Sequence, residues 1–156
     1  MVDKEEDKTV LMEDVQLIFR NFEGKEGMFN EKGDRNFSVI LPPDVGQQME
    51  RDGWAVKYLK PREEDDEGLV PYLPVKVSFK NRPPRIVMLT SNSRTNLDES
   101  MLEILDYADI KTVDLIVTPY HWSMPGGKSG VKAYLKSLFV TIEEDALERK
   151  YQINEV

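Results

Sequence analysis

Residues 131–136, with the sequence VKAYLK, alternate apolar side chains with lysine and tyrosine. In a β-strand, successive side chains point to opposite faces, so Lys132, Tyr134 and Lys136 would share one face and the apolar residues the other. A tyrosine ring can stack on a nucleic-acid base, a contact worth about 1–3 kcal/mol, while ammonium groups neutralise nearby phosphates. Lysine and tyrosine are also common on a solvated strand face. The pattern therefore indicates a binding surface only if other residues of the same types accompany it.

Aromatic and basic side chains also occur together in other predicted strands and loops. Lys57 and Tyr58 are neighbours in a strand and point to opposite faces, so only one of them can join the surface around Tyr134. Arg35 and Phe37 share a face in a third strand. The candidate nucleic-acid-binding residues are Arg20, Arg35, Phe37, Lys57, Tyr58, Tyr120, Trp122, Lys128, Lys132, Tyr134 and Lys136. In this interpretation the cations bind phosphates and the aromatic rings stack on bases.

Two other groups of residues allow a structural role as well as a binding role. Trp54 lies next to Val56 on one face of a predicted strand, which is typical of a core position. Arg82, Arg85 and Arg94 lie near a predicted turn, where they either contact phosphates or keep the turn soluble. These positions are therefore compatible with a nucleic-acid interface and do not establish one.

Residues that would carry enzyme chemistry are scarce. The sequence has no cysteine and one histidine, His121, which excludes disulfides, thiolate sites and multi-histidine metal sites. The carboxylates of 63–67 are adjacent and lack the alternating ligands and the glycine of a calcium loop. We expect no enzymatic activity, no cofactor and no bound metal.

One phosphate-binding motif is incomplete. Gly127-Lys128-Ser129 matches the end of G-x-x-x-x-G-K-[ST], but Trp122 occupies the position of the first glycine. The residues that follow predict a strand, whereas the motif needs a helix whose N-terminus holds the phosphate. Nucleotide hydrolysis at this segment is not expected.

The net charge of −8 is unfavourable for phosphate binding, but the charges are unevenly distributed. Segments 1–8, 63–67 and 143–156 hold 14 of the 29 carboxylates. The remainder of the chain carries 17 basic and 15 acidic residues, a slight positive excess. The acidic blocks are either solvated loops and tails or surfaces that compete with nucleic acid and recruit partners.

Alternating apolar residues predict a mostly β chain. Strands are predicted at 10–20, 36–41, 54–60, 72–79, 85–90, 112–118 and 130–142. In the first of them, Val15, Leu17 and Phe19 are expected on one face. The strands at 72–79 and 85–90 are expected to form a hairpin, and 119–130 a long loop. A short helix is predicted to open at Pro42-Pro43-Asp44 and to run through Gly53, although its Gly46 disfavours a helix. A second helix is predicted from Asn96 or Asp98 to about Ala108.

These elements fit a small barrel better than an α/β sandwich. The predicted fold class is mainly β, an OB-fold-like β-barrel with one or two short helices. We find no repeat and no domain boundary, so one domain over 1–142 is expected, followed by the acidic segment 143–156. The sequence contains no apolar run of membrane-spanning length and no signal-like N-terminus, which predicts a cytoplasmic protein.

The order of motifs resembles the single-stranded DNA-binding proteins of tailed bacteriophages. The matching segments are 17–22 (LIFRNF), a glycine-bearing loop, 29–39 (FNEKGDRNFSV), Pro119-Tyr120, a second glycine loop and 130–135 (GVKAYL). The resemblance implies a five-stranded OB barrel with an inserted helix that binds single strands. It also implies an acidic tail that contacts replication proteins, and dimers. Here Arg149 and Lys150 interrupt the tail.

The function predicted from these observations is sequence-tolerant binding of single-stranded DNA in phage replication or recombination. The predicted partners are single-stranded DNA, replication or recombination proteins that contact the acidic C-terminal segment, and a second copy of the chain. The host cytoplasm is the expected location. The main alternative is a phage-encoded interaction module whose acidic surface mimics DNA and acts on a host protein. A hydrolase with carboxylate-bound metal is a third alternative.

Overall fold

The computed structural model describes residues 8–60, 68–80 and 82–143. The acidic blocks at 3–7 and 63–67, and 144–156 of the acidic C-terminal segment, lie outside the described residues. The elements are β1 Val10–Met12, β2 Leu17–Asn21, β3 Arg35–Ile40, α1 Pro43–Arg51, β4 Lys57–Leu59, β5 Val70–Val77, β6 Arg85–Leu89, β7 Arg94–Leu97, a 3₁₀ turn Glu99–Met101, α2 Ile104–Tyr107, β8 Ile110–Ser123 and β9 Ser129–Ile142. No helix within these residues is long and apolar enough to cross a membrane.

The described residues form one sheet of nine strands, with a main path β1-β8-β9-β5-β3-β2. β4 pairs with β5, while β6 pairs with β7 and β9. The two ends of the path, β1 and β2, are joined by residues 13–16 alone, so the sheet curls back on itself. Across that junction the Val15 N–H donates to the Val113 carbonyl, and the Ile40 N–H donates to the Gln16 carbonyl. The predicted mainly-β, OB-like fold is confirmed.

Alternation along the strands places the core on the inner face of the curled sheet. On β9, Val131, Ala133 and Leu135 are buried, whereas Lys132 and Lys136 are exposed. The same period of two runs along β5 and β8. We call the side of the sheet that is turned away from the core the outer face. The predicted division of residues 131–136 into two faces is therefore confirmed.

The predicted hairpin between 72–79 and 85–90 is wrong, because β5 and β6 do not pair with each other. Both strands run parallel to β9: Lys76 is aligned with Tyr134, and Arg85 is aligned with Ser137. Between these positions the β8–β9 register shifts by one residue, which makes Lys136 the extra residue of a β-bulge. β9 is long enough to pair with two successive strands along one edge, first β5 and then β6. The bulge lies where the pairing changes from β5 to β6.

The predicted loop at 119–130 is also wrong over most of its length. β8 continues to Ser123, so Tyr120 and Trp122 lie in a strand, and the turn is confined to 124–128. Aromatic residues favour a pleated, half-buried surface, which explains why the strand continues. Trp122 pairs with Gly130, and a Cβ at that glycine would lie 2.8 Å from the indole ring.

Both predicted helices exist, although the second is broken. α1 begins at Pro43 as expected, and its Gly46 is buried against Pro71, where a Cβ would lie 2.6 Å from the proline Cβ. In the second, Asp98 accepts a hydrogen bond from the Ser100 N–H (2.9 Å) and starts a 3₁₀ turn. A single α-helical turn, α2, follows it.

Phe19 does not share a face with Val15 and Leu17, contrary to the sequence prediction. Its backbone has φ +52°, a left-handed conformation, and its side chain is 59% exposed. The β2–β3 register shifts between Ile18 and Asn21, so the alternation is interrupted at this point. The bulge turns the Phe19 ring out onto the surface.

Candidate nucleic-acid interface

A groove of about 760 Å³ opens on the outer face where β9 changes its neighbour from β5 to β6. We call it the bulge groove, since the Lys136 bulge lies in its wall. One wall is the β5–β6 connection, the other is formed by β8 and β9, and Thr9 contributes from the start of the described chain. Its lining residues are Thr9, Ser78, Lys80, Arg82, Pro83, Arg85, Thr118, Pro119, Tyr120, Tyr134, Leu135, Lys136 and Ser137.

The bulge groove is positively charged although the protein is acidic overall. Lys80, Arg82, Arg85 and Lys136 line it, and the described lining residues include no carboxylate. A concave surface lined by one sign of charge concentrates its potential and attracts ions of the opposite sign. The groove is therefore suited to phosphate groups.

Two tyrosines form an aromatic platform at this groove. Tyr120 is 54% exposed, and its ring centroid lies 5.6 Å from that of half-buried Tyr134, with the rings tilted by 58°. Tyr120 is paired with Lys132 and Tyr134 with Thr118, so the rings meet diagonally across two strands. Flat rings beside cations are the combination that binds single-stranded nucleic acid.

Further cations extend the same outer face along β5. Lys76 is aligned with Tyr134 across the β5–β9 pair and lies on the same face as Tyr72. Its ammonium is 3.7 Å from the Asp34 carboxylate, both being partly exposed. Lys57 is exposed and opposite Tyr72, so it is Lys57, and not Tyr58, that joins the outer face.

Arg85 is held in place by an aromatic ring. Its guanidinium carbon lies 5.5 Å from the centroid of Phe139, and that of Arg94 lies 5.8 Å from the same ring. Such cation–π contacts orient the guanidinium and reduce the freedom lost when it binds a phosphate. Arg85 is therefore a pre-positioned cation of the bulge groove.

Three of the predicted binding residues make contacts within the fold, and for Phe37 the prediction is corrected. Phe37 is 1% exposed and stacks on Phe22 with centroids 5.0 Å apart, so its ring belongs to the core. Arg20 donates to the Leu105 and Ala108 carbonyls, each at 2.9 Å, and so holds the C-terminal end of α2. Arg35 is only partly exposed and forms a 2.9 Å ion pair with Glu99.

Other predicted residues lie at the margins of the interface. Tyr58 points to the opposite face, opposite Pro71, where burial raises the pKa of its hydroxyl and Glu50 raises it further. Trp122 is half-buried over Gly130, and Lys128 is exposed in the β8–β9 turn. Of the predicted set, Tyr120, Tyr134 and Lys136 line the bulge groove, and Lys57 and Lys132 share its face.

Sequence reasoning did not single out Lys76 and Lys80, and it left open whether Arg82 and Arg85 contact phosphates or keep a turn soluble. Tyr72 and Lys76 share one face of β5, as tyrosine and lysine share one face of β9, although they are four positions apart and not two, so this combination could have identified Lys76. The role of the connection 78–85 depends on how β5 and β6 meet β9, for which the local sequence carries no signal.

Two other clefts are less suited to phosphate. The first, about 640 Å³, is lined by Arg20 and Lys111 but also by Asp14, Asp109 and Glu143. The second, about 380 Å³, lies beside Trp122 at the far end of β8 and includes one carboxylate, that of Asp52. Within the described ranges, no three His, Asp or Glu side chains are grouped so as to hold a metal ion.

The whole chain matches one protein family. A family model described as "Putative phage ssDNA-binding domain" matches residues 2–156. Among curated proteins, none matches the chain in sequence.

Two solved structures show the same fold at low sequence identity, and a third is less similar. The single-stranded DNA-binding protein from bacteriophage Enc34 is 11% identical, with a TM-score of 0.54 over 88% of this chain and 82% of that one. Its structure in complex with ssDNA is 12% identical, with a TM-score of 0.53 over 88% of each chain. A third structure, of gp2.5, a single-stranded DNA-binding protein encoded by bacteriophage T7, is 8% identical, with a TM-score of 0.44 over 89% of this chain and 88% of that one.

Proposed function

Because the chain belongs to the family of phage single-stranded-DNA-binding domains, we propose that it binds single-stranded DNA on its outer face, with the bulge groove as the centre of the site. The lining of the bulge groove supports this location. Four cations and two tyrosines line one concavity, and the described lining residues include no carboxylate. The role is that of a binding protein of phage replication or recombination in the host cytoplasm.

Binding combines two kinds of contact in this proposal. Bases stack on the platform of Tyr120 and Tyr134, because every base has a flat face and the contact needs no particular sequence. Arg85 and Lys136 lie beside the platform and neutralise phosphates. Lys57, Lys76 and Lys132 guide the strand across the rest of the face. Binding is therefore tolerant of sequence.

Duplex DNA is disfavoured by the same geometry. A stacking platform needs unpaired bases, whose faces are covered by neighbouring bases in a duplex. The net charge of −8 also opposes any binding that depends on phosphate contacts alone. The groove is positively charged, so it is not the acidic surface that the DNA-mimic alternative requires.

Fluorescence anisotropy of a labelled oligo-dT, titrated with the full chain at low and at moderate salt, tests the proposal. We expect binding to the single strand that weakens with salt and exceeds binding to a duplex of equal length. No binding to oligo-dT at low salt would refute it, and would favour a protein partner for the acidic surface.

We also propose that the acidic segment 143–156 contacts replication or recombination proteins, and that the chain forms a homodimer. The support for the first is composition, since this segment carries five acidic and two basic residues. A truncation after Glu143 is expected to lose capture of such proteins and to bind oligo-dT more tightly at low salt. Unchanged capture would contradict the role of the segment, and sedimentation of the full chain as a monomer would contradict the dimer.

A further inference from the structure

A second aromatic pair lies on the outer face, away from the bulge groove. Phe19 and Tyr72 have ring centroids 5.5 Å apart and planes inclined by 70°, an edge-to-face arrangement. An edge-to-face pair leaves ring surface uncovered, and Phe19 is 59% exposed. Phe19 therefore presents apolar ring surface to solvent, with half-buried Tyr72 beside it.

The backbone at Phe19 is unusual for its residue type. A φ of +52° lies in the left-handed region, which bulky residues rarely adopt and which asparagine and glycine tolerate. Backbone outliers of this kind collect at binding sites, where the conformation aims a side chain at a ligand. Here the outlier turns an apolar ring away from the core and into water.

Cations accompany this pair as they accompany the first one. Lys57 is directly opposite Tyr72 across the β4–β5 pair and is exposed, and Lys60 follows one residue beyond the end of β4. The cations could meet the phosphates that flank a base stacked on the rings.

The second pair lies on the same continuous surface as the bulge groove. Tyr72 and Lys76 are four positions apart on β5 and share the outer face, a distance of about 13 Å along a strand. Lys76 is in turn aligned with Tyr134 on β9. A strand of DNA that leaves the tyrosine platform along β5 would therefore reach Phe19 and Tyr72.

We propose that Phe19 and Tyr72 form a second base-stacking site for single-stranded DNA, reached only by strands long enough to extend from the bulge groove. This inference rests on the function proposed above. The left-handed backbone at Phe19 is the structural cost of exposing its ring. The second site lengthens the stretch of DNA that the protein binds, and so raises the affinity for long strands over that for short ones.

The test compares oligo-dT of about 6 and about 16 nucleotides, lengths within the span that one OB fold covers. Phe19→Asn is the key variant, because asparagine accepts the left-handed backbone while the ring is removed. We expect thermal stability to be maintained, affinity for the short oligonucleotide to be unchanged and affinity for the long one to fall by about 5-fold or more. Phe19→Trp, which keeps a ring, is the matched control and should retain most of the affinity for the long strand.

The outcomes separate the two proposals. If the wild-type chain binds neither length, the proposed function fails. If it binds both lengths, and Phe19→Asn and Tyr72→Ala bind the long strand as tightly as wild type does, the second site is refuted while the bulge groove stands. A fall in affinity for the short strand equal to that for the long one would also refute the proposal, because Phe19 would then act within a single site.

Discussion

Tyr120 and Tyr134 meet diagonally across the β8–β9 pair, with ring centroids 5.6 Å apart, directly beside the cations of the bulge groove. The contact exists because β8 continues as a strand past Pro119 and brings Tyr120 opposite Lys132. Each ring supports the other, so the two act as one platform. Their contributions to binding are therefore expected to be coupled rather than additive.

Replacing Tyr134 with alanine is expected to weaken oligo-dT binding by about 1–3 kcal/mol, since the base loses a stacking surface and Tyr120 loses its neighbour. Anisotropy titrations at constant salt measure this loss. Tyr134→Phe keeps the ring and is the control, with an expected affinity close to that of wild type. Equal losses in the two variants would show that the hydroxyl, and not the ring, makes the contact.

The salt dependence of binding reports which lysines touch phosphate. For Lys136→Ala, the slope of log K against log [salt] is expected to become less negative by about 0.7, the value for one contact to a single strand. Lys111 is also exposed but lies in the mixed-charge cleft, so Lys111→Ala is the matched control with an unchanged slope. If both variants shift the slope equally, the cations act through overall charge and not through the groove.

Arg20 is expected to affect stability and not binding. Its guanidinium donates to two carbonyls at the end of α2, so Arg20→Ala should lower the free energy of unfolding by about 1–3 kcal/mol. Urea denaturation followed by circular dichroism measures this change, while oligo-dT affinity should stay within two-fold of wild type. A loss of affinity at unchanged stability would return Arg20 to the interface.

Phe37 is likewise expected to affect stability and not binding. Phe37→Ala removes a buried ring stacked on Phe22 and is expected to cost about 3–5 kcal/mol of stability. Phe37→Leu fills much of the same space and should fold with a smaller loss. The Leu variant is expected to bind oligo-dT normally, so a marked loss of its affinity would contradict the assignment of Phe37 to the core.

The alternation of apolar and polar residues along the chain predicts many of the strands and part of the site. Residues 131–136 divide into two faces as predicted. One face of the strand is buried, so a shift of one residue in its pairing would move the apolar side chains into solvent. The first helix follows from the prolines at its start, and the packing of Gly46 against Pro71 explains why a glycine lies within it. These features depend on neighbours in sequence.

Features that depend on distant pairings were missed. β5 and β6 both pair with the distant strand β9 and not with each other. The cations at 78–85 reach the groove only because β9 pairs with both strands. The ring of Phe19 points outward because of a bulge in the β2–β3 pairing, and the sequence around Phe19 does not predict that bulge. The roles of Arg20 and Arg35 were likewise set by partners far along the chain, the end of α2 and Glu99.

The most direct test of the account is a map of amide chemical-shift changes in the ¹⁵N-labelled chain as a short oligo-dT is added. The account predicts the largest changes around the bulge groove, at Lys80, Arg82, Arg85, Tyr120 and 134–137, with weak changes near Arg20 and Lys111. Changes centred on the mixed-charge cleft of Arg20 and Lys111, with the groove amides unmoved, would contradict it.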